Sequence, residues 1–181
     1  MANITLMSKK DLMELLDAQR IMDNTVLEKN DPITTDSRFE CIQLATMGEI
    51  SEMMNEIETF KFWKKQRNKR NFLEESVDVL HFLLSLMNQF EEIGYSKTKL
   101  HRAITISNEG DIPSENKLAK FLYGHVLLLD LEDDKHIEEI LRDALKALLM
   151  LQKVRGYEWE DVKKAYYEKN EINLQRQKEN Y

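Results

Sequence analysis

The chain has 181 residues, 42% of them apolar and 33% charged, with a net charge of −7. That is enough apolar material for the core of one domain, and the negative charge argues against sequence-independent binding to a nucleic-acid backbone. A single cysteine, Cys41, an opening MANITLMSKKDL without an apolar leader core, and the lack of any bilayer-length apolar run predict a cytoplasmic protein with neither membrane nor nucleic acid as partner.

Five glycines and two prolines leave few breaks, which favours long helices. Ser8 can cap a first helix, with Asp11 at its third position. Leu12, Leu15, Leu16, Ala18 and Met22 form its apolar stripe, and Gln19 and Asp23 share an adjacent strip. After a polar break at 28–32, Thr35 or Asp36 starts a second helix on Phe39, Ile42, Ala45, Ile50, Met53, Met54 and Ile57, expected to end in the segment 60–65. A basic run continues through Arg67, Lys69 and Arg70. Phe72 opens a third helix carrying Leu73, Val77, Leu80, His81, Leu84 and Met87, and Gly94 stops it.

The segment 96–106 is expected as a short helix and 107–113 as a loop. Ser114 starts another helix through Leu118, Phe121, Leu122, Val126 and Leu129. Asp133 or Asp134 is the expected cap of the next, whose stripe is Ile137, Ile140, Leu141, Ala144, Leu148 and Leu151, closed by Arg155-Gly156. Trp159, Val162, Ala165 and Tyr166 begin the last helix, which turns polar toward its end. No strand alternation stands out, and the predicted fold is an all-α helical bundle.

Two acidic patterns fall inside helical stretches, Glu49-x-x-Glu52 and Glu75-x-x-Asp78. Residues three apart share a helix face, so each pattern aims two carboxylates one way. Antiparallel packing of the two helices would converge all four. Such an oxygen-only set suits Mg²⁺ or Mn²⁺. A charged outer face is the ordinary explanation for either pair alone. Against it stand the apolar neighbours of both pairs, because clustered, partly buried carboxylates repel unless a cation joins them. Glu74 points about 100° from Glu75, and its part as a ligand stays open. A di-iron centre would need two Glu-x-x-His motifs, and Asp78-x-x-His81 is a single weak echo.

The basic run 61–70 is a solvated turn on the plain reading, except that Trp63 between Phe62 and Lys64 could offer an aromatic wall to a nucleobase. Lys169, Asn173 and Arg176 fall at i, i+4 and i+7 on the last helix. Spacing alone leaves two readings level: a salt-bridged surface, or a clamp for phosphate and sugar.

Several stretches, in order along the chain, together resemble the dimeric all-α dUTPase family within the all-α NTP pyrophosphatases. They are Leu15-Leu16-Asp17-Ala18-Gln19, Gly48-Glu49-Ile50-Ser51-Glu52, Phe60-Lys61-Phe62-Trp63-Lys64, Glu74-Glu75-Ser76-Val77-Asp78-Val79-Leu80-His81-Phe82 and Tyr166-Tyr167-Glu168-Lys169-Asn170-x-x-Asn173-x-x-Arg176-Gln177. The compact form looks most like enzymes encoded by phages of staphylococci and related bacteria. The resemblance implies one domain over 1–181, a homodimer, and Mg²⁺-dependent hydrolysis of dUTP and dUDP to dUMP, with pyrophosphate released from dUTP. It implies Glu49, Glu52, Glu75 and Asp78 as metal ligands, with Glu49 also orienting the attacking water. It further implies Lys169 and Arg176 on phosphate, Asn173 on the sugar edge, Gln19 and Trp63 on the base, and His81 and Phe82 against the deoxyribose.

The sequence departs from the family in two places. Ser76-Val77 stands where Leu-x is expected, and Lys178-Glu179-Asn180-Tyr181 replaces the Gly-Tyr ending. Residues 95–133 match no motif and read as a variable insertion. In the phage relatives such a region resembles a docking surface for the repressor of mobile pathogenicity islands, which would be a protein partner beside the nucleotide. The alternatives are a dCTP or broader house-cleaning pyrophosphatase, and a helical interaction protein without activity.

Overall fold

A computed structural model of the protein describes residues 3–64, 71–107, 112–131 and 136–179. Among them run seven helices and two short strands: β1 (Asn3–Met7), α1 (Lys9–Lys29), α2 (Thr35–Ile57), α3 (Phe72–Glu92), α4 (Lys97–Leu100), β2 (Ile104–Ser107), α5 (Glu115–Leu127), α6 (Ile137–Val154) and α7 (Trp159–Lys178). No helix among the described residues is long and apolar enough to cross a membrane.

Helix α3 is the axis of the bundle, packing against α1, α2, α6 and α7. Through 79–91 every residue but Phe82 is buried, because its apolar residues run around the whole cylinder rather than along one stripe. Leu12, Leu15 and Leu16 of α1, Ile50, Met53 and Ile57 of α2, and Leu141, Leu148 and Leu151 of α6 close around it. Helix α5 lies on α2 and α6 and adds Leu118, Ala119, Leu122 and Val126 to the same core, so part of the segment read as an insertion belongs to it.

The helix starts follow capping chemistry. The Ser8 hydroxyl receives the Asp11 N–H at 3.1 Å, and Thr34 receives Ser37 N–H at 3.2 Å. At the start of α7, Glu158 N–H donates to the Asp161 carboxylate at 3.0 Å. Gly94 and Gly156 follow the ends of α3 and α6 at φ 105° and 88°, where a side chain is disfavoured. Asp133 and Asp134 lie outside the described residues, as do Arg67, Lys69 and Arg70. Helix α6 begins after His136, which makes no side-chain cap.

Three expectations need correction. Helix α2 stops at Ile57 instead of running into 60–65. Glu58 turns left-handed at φ 52°, with its carboxylate held by Lys61 at 2.8 Å and Lys64 at 2.6 Å. Those hydrogen bonds depress its pKa to about 2 and anchor a backbone shape a non-glycine residue seldom adopts. The segment 96–106 is a helix only through Leu100, because the Arg142 guanidinium takes the carbonyls of Leu100, Arg102 and Ala103 at 2.8–3.0 Å. Finally, β1 and β2 do form an antiparallel pair, with Ile4 opposite Ile106 and Thr5 opposite Thr105. Strands of five and four residues are too short for alternation to separate from chance.

Candidate active site

Helices α2 and α3, joined through the turn after Ile57, pack side by side and bring the two acidic patterns together. Glu49 and Glu52 come from α2 and Glu75 from the first turn of α3. One carboxylate oxygen from each lies within 4.8 Å of the others. Glu56, next on the α2 face, takes another role: its carboxylate accepts the Asn71 N–H at 3.3 Å, beside the start of α3. Asp78, one turn beyond Glu75, stands beside the trio without joining it. Its carboxylate accepts from the Lys169 ammonium at 2.8 Å, and the same ammonium reaches Glu74 at 3.3 Å. Glu74 thus pairs with α7 and is mostly exposed.

The charges are in conflict. Burial, and then Asp78, Glu52 and Glu75, push Glu49 up to about 7. Glu75 is raised by burial and by Asp78, Glu52 and Glu74. Asp78 is raised by burial despite the Lys169 hydrogen bond. Burial also works against the Lys169 charge, but Asp78 and Glu74 outweigh it and raise that pKa. Three convergent hard oxygens, one of them pushed toward protonation near neutrality by burial and by the charges of its neighbours, fit a divalent cation, which would supply the missing positive charge.

A buried polar network adjoins the acids. The Gln19 carbonyl accepts from His81 Nδ1 at 2.8 Å and from the Tyr166 hydroxyl at 3.1 Å, and its amide donates to Asp23 at 2.8 Å. The His81 and Tyr166 rings stack at 4.2 Å. With Gln19 accepting, Nδ1 carries the His81 proton and Nε2 is left buried without a hydrogen-bond partner. Burial, and then Lys169, drive the His81 pKa down to about 3, so the ring is neutral. Asn170 is buried one turn past Tyr166, and its Oδ1 also lacks a partner.

The remaining site residues spread outward. Phe82 and Asn173 are half-buried. Arg176 is exposed, and its charge reaches Asp78. Trp63 sits on the turn after α2, two-thirds exposed, and among the described residues its one ring partner is Phe62. The Gln19 carbonyl is engaged inside the protein. Tyr166, Asn170 and Asp23 were not singled out as site residues from sequence. The available signal was helical spacing: Asp23 lies four residues after Gln19 and Asn170 four after Tyr166.

No curated protein matches the chain. A family model described as dUTPase matches residues 11–181, and that span contains both acidic patterns, the His81 network and all of α7. The chain therefore belongs to the dUTPase family, as an all-α enzyme that hydrolyses dUTP.

Proposed function

We propose that the site cleaves dUTP, and dUDP, to dUMP with Mg²⁺ held by Glu49, Glu52 and Glu75 and with Asp78 as a fourth ligand once Lys169 turns to the nucleotide. The observation that carries this is the convergence of three carboxylates with Glu49 poised near neutrality. Mg²⁺ bound there would neutralise phosphate charge and lower the pKa of a neighbouring water.

The chain's own residues supply the rest. Glu49 orients the water that attacks the α-phosphorus of dUTP. The bond from that phosphorus to the bridging oxygen breaks, pyrophosphate leaves, and the water's proton passes to the Glu49 carboxylate. Lys169 and Arg176 meet the phosphates and Asn173 the sugar edge. His81 and Phe82 flank the deoxyribose, leaving no room for a 2′-hydroxyl. Neutral His81 keeps positive charge away from the sugar. Gln19 and Trp63 read the base, Trp63 by moving in from its exposed turn. Two copies of the chain pair through apolar side chains left exposed on α2 and α5, including Leu44 at 67% and Leu127 at 59% exposure.

The test is pyrophosphate release from dUTP, dCTP, dTTP and UTP, each with Mg²⁺ and with EDTA. Mg²⁺-dependent turnover confined to dUTP is the expected result. Turnover of dCTP would retain the acid cluster and overturn the base assignment. Turnover undiminished by EDTA would overturn the metal assignment.

A further inference from the structure

The carboxylates that converge sit on two different helices, so their spacing depends on how the end of α2 is held against the start of α3. Arg155, the C-terminal cap of α6, lies at that junction with only 5% of its side chain exposed. Its Nη2 donates to the Ile57 carbonyl at 3.3 Å, the last residue of α2. Its guanidinium lies 5.3 Å from the ring centre of Phe72, the first residue of α3. Its Nε stands 2.6 Å from the carboxylate of Glu115, the first residue of α5. That last contact is an ion pair rather than a well-directed hydrogen bond, and Nη1 is buried without a partner.

One planar cation thus joins four helix ends. Each contact has a physical reason. The terminal carbonyls of α2 have no partner within the helix and carry the negative end of its dipole, which a guanidinium satisfies. The Phe72 face attracts a desolvated cation. Glu115 supplies the counter-charge that a buried arginine needs. Ile57 lies five residues after Glu52, and Phe72 three residues before Glu75, which puts the clamp within about two helical turns of every metal-binding carboxylate.

We propose that Arg155 is a positioning residue for the metal centre, setting the separation of α2 and α3 at which Glu49, Glu52 and Glu75 can share one divalent ion. It touches neither nucleotide nor metal. The inference rests on the metal assignment above. Lysine keeps the charge and can keep the pair with Glu115, but its single ammonium cannot serve Glu115, the Ile57 carbonyl and the Phe72 face together.

The test uses the full chain, metal-free, titrated with Mn²⁺ and followed by electron paramagnetic resonance without nucleotide, for wild type, Arg155→Lys, Glu115→Gln and Glu49→Gln. Folding of each variant is checked by a cooperative melt. Arg155→Lys is expected to weaken Mn²⁺ binding at least about tenfold and Glu115→Gln about threefold. In turnover, Arg155→Lys should lower kcat at fixed low Mg²⁺ with KM for dUTP changed less than about twofold. Excess Mg²⁺ should restore kcat at a temperature where the melt shows the metal-free variant fully folded, so that stabilisation by the metal does not account for the recovery.

Mn²⁺ affinity of Arg155→Lys within about twofold of wild type overturns the inference and leaves the metal assignment intact. If Arg155→Lys does not fold, Glu115→Gln decides in its place, and an affinity unchanged by that substitution overturns the inference. Wild type that binds no more Mn²⁺ than Glu49→Gln overturns the metal assignment and the inference together.

Discussion

At the scale of single residues the proposed chemistry turns on Glu49. Its pKa is raised from 4.5 to about 7, by burial first and then by Asp78, Glu52 and Glu75. A raised carboxylate binds its proton more tightly in the folded state than in the unfolded. The stability it contributes is complete below about pH 4.5 and is lost as pH rises through about 7. Metal-free protein should therefore melt on the order of 2–4 °C lower at about pH 8 than at about pH 5.5. Scanning calorimetry in EDTA should show most of that slope removed in Glu49→Gln, whereas an equal slope in both proteins would place the titration elsewhere. The same substitution should cut dUTP turnover about 10²–10⁴-fold. Lys169 has the opposite charge and two partners. Lys169→Met strands Asp78 and Glu74 and removes the proposed phosphate contact, so KM for dUTP should rise roughly tenfold or more. Initial-rate kinetics would expose an unchanged KM.

Among the elements, α3 bears on both stability and site. Its first turn presents Glu75, its second Asp78 and its third His81, and the rest is core. Leu84 lies one turn beyond His81 and is fully buried. Leu84→Ala should cost about 2–5 kcal/mol through lost burial and a cavity, read from urea denaturation. Turnover per folded molecule should stay within about twofold, because the acids depend on the first two turns of α3 and on their register with α2. Helix α7 works differently. Its face is too polar to be held by burial alone, and it is held by Tyr166 packed against His81 and by Lys169 bonded to Asp78.

For the whole molecule, a net charge of −7 and three carboxylates in one cluster would make the proposed cation binding a stabilising event, because a metal held there binds the folded site and not the unfolded chain. Mg²⁺ at about a hundred times its dissociation constant should add about 2.7 kcal/mol. At about pH 7.5 this should appear as a rise in melting temperature that EDTA reverses and Glu49→Gln lacks. Sedimentation of the full chain should give the mass of two copies if the exposed apolar side chains on α2 and α5 are covered by pairing. A monomer across the micromolar range would remove the dimer from the proposal.

The acidic pairs, the stripe residues of six helices apart from Phe121, which is exposed, and most helix starts were legible in the sequence, because helical spacing and capping are local. Glu49 with Glu52, and Glu75 with Asp78, had to share a face wherever α2 and α3 ended up. The stop of α2 at Ile57 was not legible, since it depends on the Glu58 carboxylate being held by two lysines further along. Nor was the end of α4, which depends on Arg142 reaching back some 40 residues for three carbonyls. The pairing of β1 with β2 joins residues about 100 apart. Which carboxylate Lys169 would take, that Gln19 would spend its carbonyl on His81 and Tyr166, and that Arg155 would sit between the ends of α2 and α3 were decided only by packing. The sequence by itself determined which groups could act together along each helix. The tertiary structure decided which of them meet, because hydrogen bonds and ion pairs between distant segments follow from how the helices close around α3 and carry no periodic trace in the chain.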